Sequence, residues 1–399
     1  MKFKFTFWKL VFAVIMVLGG YATVIRFTQG LGASTNMSDQ YPWGIWIGFD
    51  VLCGVMLAAG GFTLTGAVHI LNVKRLEPIV RPTVLTAFSG YLLVSIALMY
   101  DLGRPYRIWH PLVMRNPHSV MFEVAMCVMC YTTVLALEFS PIVLERFNLK
   151  KPLKFIKAAL IPLVILGCIL STLHQSSLGT MYLIMPEKLH PFWYSPLLPV
   201  FFFISAIAVG LAMTIFESSI SSRVFGRQLE LPIIQELGRI LLVVLSVYGV
   251  LRFEDLFHRG VLRQAFIAQY ETYFFWLEIL LALIAPLVLL SIQRVRNSPG
   301  GLYLAAVLVV LGFITNRLNV SITGMEHWVG RHYVPSWMEF SVTAAMVAGG
   351  FALFGLAVKY LPIFEDEHEH QHQPRLFAPQ AAEPAEPLGS TAVATNAGN

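Results

Sequence analysis

An all-α, polytopic membrane protein is the fold class this sequence predicts, and three observations predict it. The 399 residues are 56% hydrophobic and only 13% charged, with a mean hydropathy of +0.67, more apolar length than a soluble core of this size uses. Apolar runs of about 20 residues recur along the chain, each long enough to cross a hydrocarbon layer about 30 Å thick as a helix. The apolar/polar alternation of a membrane strand is missing, which excludes a barrel. The net charge of +5 comes from basic residues in short loops beside the runs, so it speaks of orientation in a membrane and not of nucleic acid.

Ten spans follow in order. The first, Phe7–Arg26, is preceded by Lys2, Lys4 and Lys9 in the manner of a signal peptide; without a small-x-small cleavage site it reads as a retained span. The second, Gly44–Leu71, carries Gly44, Gly48, Gly54, Gly60, Gly61 and Gly66 with Ala58 and Ala59, a small surface on which helix backbones can approach in lipid. The third, Thr83–Asp101, and the fourth, His118–Glu138, flank a stretch that runs from Tyr100-Asp101-Leu102-Gly103-Arg104-Pro105 to Glu123. The remaining spans are Lys154–Gln175, Pro196–Ile220, Ile234–Glu254, Tyr270–Gln293, Gly301–Ile322 and Trp337–Leu361. Residues 1–362 form one integral membrane domain, with a first bundle within about 44–175 and a second within about 196–322. After Pro362 the chain turns acidic and histidine-containing from Glu365 to His372, then Ala/Pro/Glu-rich. Residues 363–399 read as a disordered tail whose alternating histidines are solvated or hold a metal weakly.

Connections alternate in charge. The set containing Lys74, Arg75, Arg146, Lys150, Lys151, Arg223, Arg227, Arg294 and Arg296 holds about twice the Lys and Arg of the other. This predicts both termini in the cytoplasm of a bacterial inner membrane. The opposite connections are longer and aromatic-rich, with Trp43, Trp109, Trp193, Trp328 and Trp337 near the interface, either as an aromatic belt or as a seat for a partner on the periplasmic side.

The four cysteines all fall inside spans. Cys127 and Cys130 make a C-x-x-C on a membrane helix with no second pair, so packing explains them better than a cluster or zinc site.

Ionisable residues inside spans are costly and mark function. Sorted by depth, Asp50, Asp101, Arg104, Glu123 and His174, with Arg252 and Glu254, lie toward the aromatic-rich ends, where the first five come from four consecutive spans. His69, Glu138, Glu217 and Arg239 lie toward the opposite ends, and Glu278, Asn316 and Arg317 between. Taken singly, each is also explained by pairing, as of Arg252 with Glu254. As a set, an Asp, a Glu, a His and an Arg at the rim of an apolar bundle suit a quinone, whose two carbonyls take or release two protons with two electrons. Haem b needs two facing imidazoles, and His69 and His174 lie near opposite faces. With no haem or cluster of its own, the chain needs electrons from another protein.

Tyr41-Pro42-Trp43-Gly44-Ile45-Trp46-Ile47-Gly48-Phe49-Asp50, Asp101-Leu102-Gly103-Arg104-Pro105, Ser119-Val120-Met121-Phe122-Glu123, Ala136-Leu137-Glu138-Phe139-Ser140-Pro141 and His174-Gln175-Ser176-Ser177-Leu178-Gly179 resemble the NrfD/PsrC-type quinone-interacting membrane subunits, most closely the ten-span, hydrogenase-2-type members. Similarity continues through Ile215-Phe216-Glu217, Leu251-Arg252-Phe253-Glu254, Phe275-Trp276-Leu277-Glu278 and Arg317. The resemblance implies two four-helix bundles and a subunit that reacts with menaquinone or ubiquinone without a cofactor of its own. It also implies a periplasmic ferredoxin-like iron–sulfur partner, linked to a nickel–iron hydrogenase or another catalytic subunit. It places quinone roles on Asp101, Arg104, Glu123 and His174 with Asp50 close by, and a proton path on His69, Glu138, Glu217, Glu278 and Arg317. A secondary transporter is the rival class; Pro162 and Pro286 interrupt spans without matching partners, a weak sign of broken-helix repeats. A purely structural anchor is opposed by the number of buried acids.

Overall fold

A computed structural model describes residues 7–364, so the predicted tail lies outside the described residues. Ten long helices follow one another among the described residues: α1 Phe7–Gln29, α2 Trp46–His69, α3 Lys74–Asp101, α4 Val120–Arg146, α5 Lys150–Leu183, α6 Leu198–Phe225, α7 Leu231–His258, α8 Tyr270–Ser291, α9 Pro299–Val329 and α10 Trp337–Tyr360. Nine of them are long and apolar enough to cross a membrane. The tenth, α7, is not among the nine; it carries Glu236, Arg239, Arg252, Glu254 and Asp255 along its 28 residues. The only strand-like pairing among the described residues is an isolated bridge between Ser38 and Tyr41.

Helix ends obey local chemistry. The Ser119 and Ser298 hydroxyls accept the Phe122 and Gly301 N–H groups at the starts of α4 and α9, and Ser336 forms a capping box with Glu339 at the start of α10. Gly226 and Gly330 stop α6 and the end of α9 in the left-handed conformation. Several helices outrun the apolar spans read from sequence. The 34 residues of α5 reach about 51 Å, and its basic start is tied down where Lys157 and Arg81 flank Glu145 at 3.3 and 3.6 Å.

Helices α2 to α5 pack as one ring and α6 to α9 as another, joined where α5 meets α6 and where α2 meets α6 and α9. The pair α1 and α10 leans on the outside of the first ring and is largely exposed, as lipid-facing helices are. At the centre is α2. Its small residues each serve a different neighbour: Gly54 faces Val94 and Gly61 faces Ala87 on α3, Gly66 faces Cys168 on α5, and Gly60 meets Gly210 and Thr214 on α6. A Cβ on Gly210 would stand 2.7 Å from the Gly60 nitrogen, so the two rings touch backbone to backbone there.

Three spans contain a π-helical turn: Trp46–Val51 in α2, Leu280–Ile284 in α8 and Asn319–Thr323 in α9. Such turns widen a helix and re-aim its side chains, and they recur at functional sites. The first carries Asp50, and its Gly48 packs against Ser321 of the third.

Candidate functional site

The acids and bases expected at one rim separate into two groups on either side of α3. One lies between α4 and α5. Glu123, in the first turn of α4 and exposed at the rim, accepts the Ser177 hydroxyl from α5. Three residues earlier on α5, His174 is fully buried, and neither ring nitrogen has a hydrogen-bond partner. Its ring neighbour is Tyr91 of α3, 5.7 Å between centroids, and Tyr91 meets Tyr131 of α4 edge to face at 4.7 Å. The Tyr91, Tyr131 and Ser171 hydroxyls and the Gln175 carbonyl are also buried without a partner, while the Gln175 amide donates to the Val55 carbonyl at 3.1 Å. Buried polar atoms are nearly always satisfied, so such a cluster is a place a polar ligand head or water can complete.

The second group lies between α3 and the outer pair. Asp101 ends α3 with one carboxyl oxygen buried and unpartnered. The guanidinium beside it belongs to Arg26 of α1, which donates to the Tyr100 and Leu102 carbonyls at 2.6 Å each. Arg104 sits on the exposed loop beyond, its carbonyl accepting the Arg107 N–H. Asp50 is buried in its π-turn and accepts the Thr343 hydroxyl of α10 at 2.7 Å.

The deeper ionisable residues are dispersed. His69 holds its Nδ1 against the Thr65 carbonyl at 3.1 Å. Glu138 is buried against Gly167, and Glu217 accepts the Thr86 hydroxyl at 2.6 Å with its other oxygen unpartnered. In the second ring Glu278 receives three N–H donors, from Trp193 (2.8 Å), Asn316 (2.8 Å) and Asn319 (2.9 Å). Arg317 donates to Asn316 and to Ser205, and lies 3.6 Å over the Phe202 ring. Arg252 does not pair with Glu254: it donates to the Phe192 carbonyl, while Glu254 faces His258 at 3.8 Å.

Two sequence readings change. Trp193 is not an interfacial anchor but a fully buried donor to Glu278, whereas Trp109, Trp328 and Trp337 stay exposed. Arg26 joins the site residues expected from sequence; its signal there is one guanidinium at the end of an otherwise apolar run. The cysteines are all free; Cys127 is buried and Cys130, one turn further along α4, is exposed.

Fold and site together define a polytopic helical membrane protein with titratable groups in two clusters on either side of α3 and others dispersed deeper in the rings. The chain belongs to the family described as polysulphide reductase, NrfD, which it matches over residues 33–330. It is 33% identical over 369 residues to the probable Ni/Fe-hydrogenase 2 b-type cytochrome subunit of Escherichia coli, covering 91% of this chain and 94% of that one. It is 30% identical over 398 residues to the menaquinone reductase integral membrane subunit of Nitratidesulfovibrio vulgaris, covering 92% and 93%. A subunit of the selenate reductase of Mesobacillus selenatarsenatis is 24% identical over 420 residues, covering 91% and 96%. One of these relatives is named a b-type cytochrome. Here the ring facing the fully buried His174 is that of Tyr91, not a second imidazole, so these residues do not form a bis-histidine haem site.

Proposed function

We propose that this chain is the membrane anchor and quinone-reactive subunit of a bacterial oxidoreductase complex, exchanging electrons between an iron–sulfur subunit docked on its aromatic-rich face and the membrane quinone pool. The observation that carries this reading is His174. A fully buried imidazole with both nitrogens unpartnered, one helical turn from a hydroxyl bonded to a rim carboxyl, is fitted to bind and protonate a polar head in an apolar setting. A bound quinone would supply the redox chemistry, taking up two electrons and two protons per head on reduction and releasing them on oxidation.

The chain's own residues handle the protons and the charge. His174 holds one carbonyl by a hydrogen bond, and Ser177 links that position to Glu123, which exchanges protons at the rim. Asp101 and Asp50 are further acids on the other side of α3, with Arg26 and the loop residue Arg104 stabilising negative charge. Behind His174 the Tyr91, Ser171 and Tyr131 hydroxyls lead toward Glu138, which with His69 and Glu217 makes the candidate proton path through the first ring. Glu278 and Arg317 make a separate polar centre in the second.

The relative named for menaquinone supports a quinone as substrate, and the one named for hydrogenase 2 supports hydrogen as the ultimate donor; the selenate reductase relative supports another catalytic partner on the same anchor. The test is quinone turnover by the purified complex carrying Glu123→Gln or His174→Ala. Each variant assembles and keeps the partner's reaction with an artificial dye, and each lowers quinone turnover about 100-fold. Full quinone turnover in both overturns the site.

A further inference from the structure

We propose that His190, Glu271 and His327 form a binding site for one zinc-type divalent cation at the aromatic-rich end of the second ring. The three come from separate segments: the connection between α5 and α6, the first turn of α8, and the helix Gly324–Val329 that closes α9. One ligand atom of each lies within 4.8 Å of the other two. His327 Nδ1 and Glu271 Oε1 are already 3.5 Å apart. A tetrahedral zinc with bonds of 2.0–2.2 Å sets its ligand atoms about 3.4 Å from one another, so this edge is in place and only the His190 edges need to shorten.

The means to shorten them is present. His190 is buried and fixed by its backbone, whose N–H donates to the Gly324 carbonyl at 2.9 Å and whose carbonyl accepts the Trp193 and Tyr194 N–H groups. His327 is exposed, and its ring already stands edge to face against that of His190 at 5.1 Å, so a side-chain rotation of a residue bordered by solvent can close the remaining distance. Two imidazoles and a carboxylate are the donor set of three-ligand zinc sites with an open fourth position, and two nitrogens disfavour magnesium or calcium. The Phe192 N–H rests on His190 Nδ1 at 3.2 Å, so the metal-free neutral ring is the Nε2–H tautomer; for Nε2 to bind a cation the ring proton moves to Nδ1, which then can no longer accept the Phe192 N–H. That long contact is the interaction the site gives up. Occupied, the site adds a further tie among three segments already linked by the His190–Gly324 hydrogen bond and the His327–Glu271 ion pair. It does not depend on the quinone reading.

The experiment uses the full chain in detergent with His368, His370 and His372 replaced by alanine, because the tail is a competing binder. After chelation and zinc titration, desalted protein is assayed for bound metal and for its melting temperature. The expected result is one zinc per chain, a rise in Tm with zinc but not with magnesium, and loss of both in His327→Ala and Glu271→Gln. No zinc retained in the tail-replaced chain, or one zinc retained in both variants, overturns the proposal; in that case the three residues are only a hydrogen-bonded cluster.

Discussion

Arg26 illustrates what a single residue settles in this molecule. The last carbonyls of a helix lack donors from their own ladder, and a cation there also meets the negative end of the helix dipole. By satisfying the Tyr100 and Leu102 carbonyls, Arg26 fixes the end of α3 on which Asp101 stands. Removing it strands two carbonyls and leaves Asp101 without its nearby cation, a loss of about 3 kcal/mol by the usual worth of hydrogen bonds to charged groups. Arg26→Ala is therefore expected to lower the melting temperature in detergent and to reduce quinone turnover in the assembled complex, with Arg26→Lys recovering part of both; unchanged values for Arg26→Ala would show that α3 is capped without it. Glu278 gives a second case. Three N–H donors converge on its carboxylate, and Glu278→Gln turns an amide donor toward at least one of them, costing about 1–3 kcal/mol. A melting temperature equal to the parent's would contradict that network. Neither role was legible in the sequence, because both join groups far apart in the chain, Arg26 to the end of α3 and Trp193 to Glu278.

At the scale of the helix the sequence was far more informative. A run of about 20 apolar residues has no stable alternative to a helix in lipid, since every backbone group must be bonded within the segment. All ten expected helices are present, and nine of them are apolar and long enough to cross a membrane on that account, α7 with its five charged residues being the exception. Their ends extend further than hydropathy shows, as in α5, because basic residues such as Lys150 and Lys151 continue a helix beyond the apolar layer. The π-turns were invisible: they depend on what a neighbouring helix requires and not on composition. The one in α8 lies where Gly312 of α9 presses on its backbone, a Cβ at that position falling inside the contact distance of Ala282 and Leu281. Gly312→Ala should push α8 and α9 apart at about 1–3 kcal/mol, read as a fall in melting temperature. Gly349→Ala on α10, where a Cβ meets nothing within 4 Å, is the control expected to leave it unchanged.

For the whole molecule, the two rings share one feature of direction: the acid and imidazole groups of the first and the His190 cluster of the second both lie toward the aromatic-rich connections. Which side of the membrane those connections face follows from charge. Basic loops resist transfer across the membrane, so we propose that the set holding Lys150, Lys151, Arg223 and Arg227 stays in the cytoplasm and that the loop 102–117 is translocated. Under the proposed function the electron donor docks outside, where a soluble iron–sulfur protein would reach the rim near Glu123 without entering lipid. Labelling measures this directly. In a chain with Cys53, Cys127, Cys130 and Cys168 replaced, Asn116→Cys should react with a membrane-impermeant maleimide in intact spheroplasts, and Gln228→Cys, in the exposed loop between α6 and α7, only after permeabilisation. The reverse pattern would place the rim inside the cell. A donor outside could then no longer reach it, and the orientation that joins fold to function would have to be inverted.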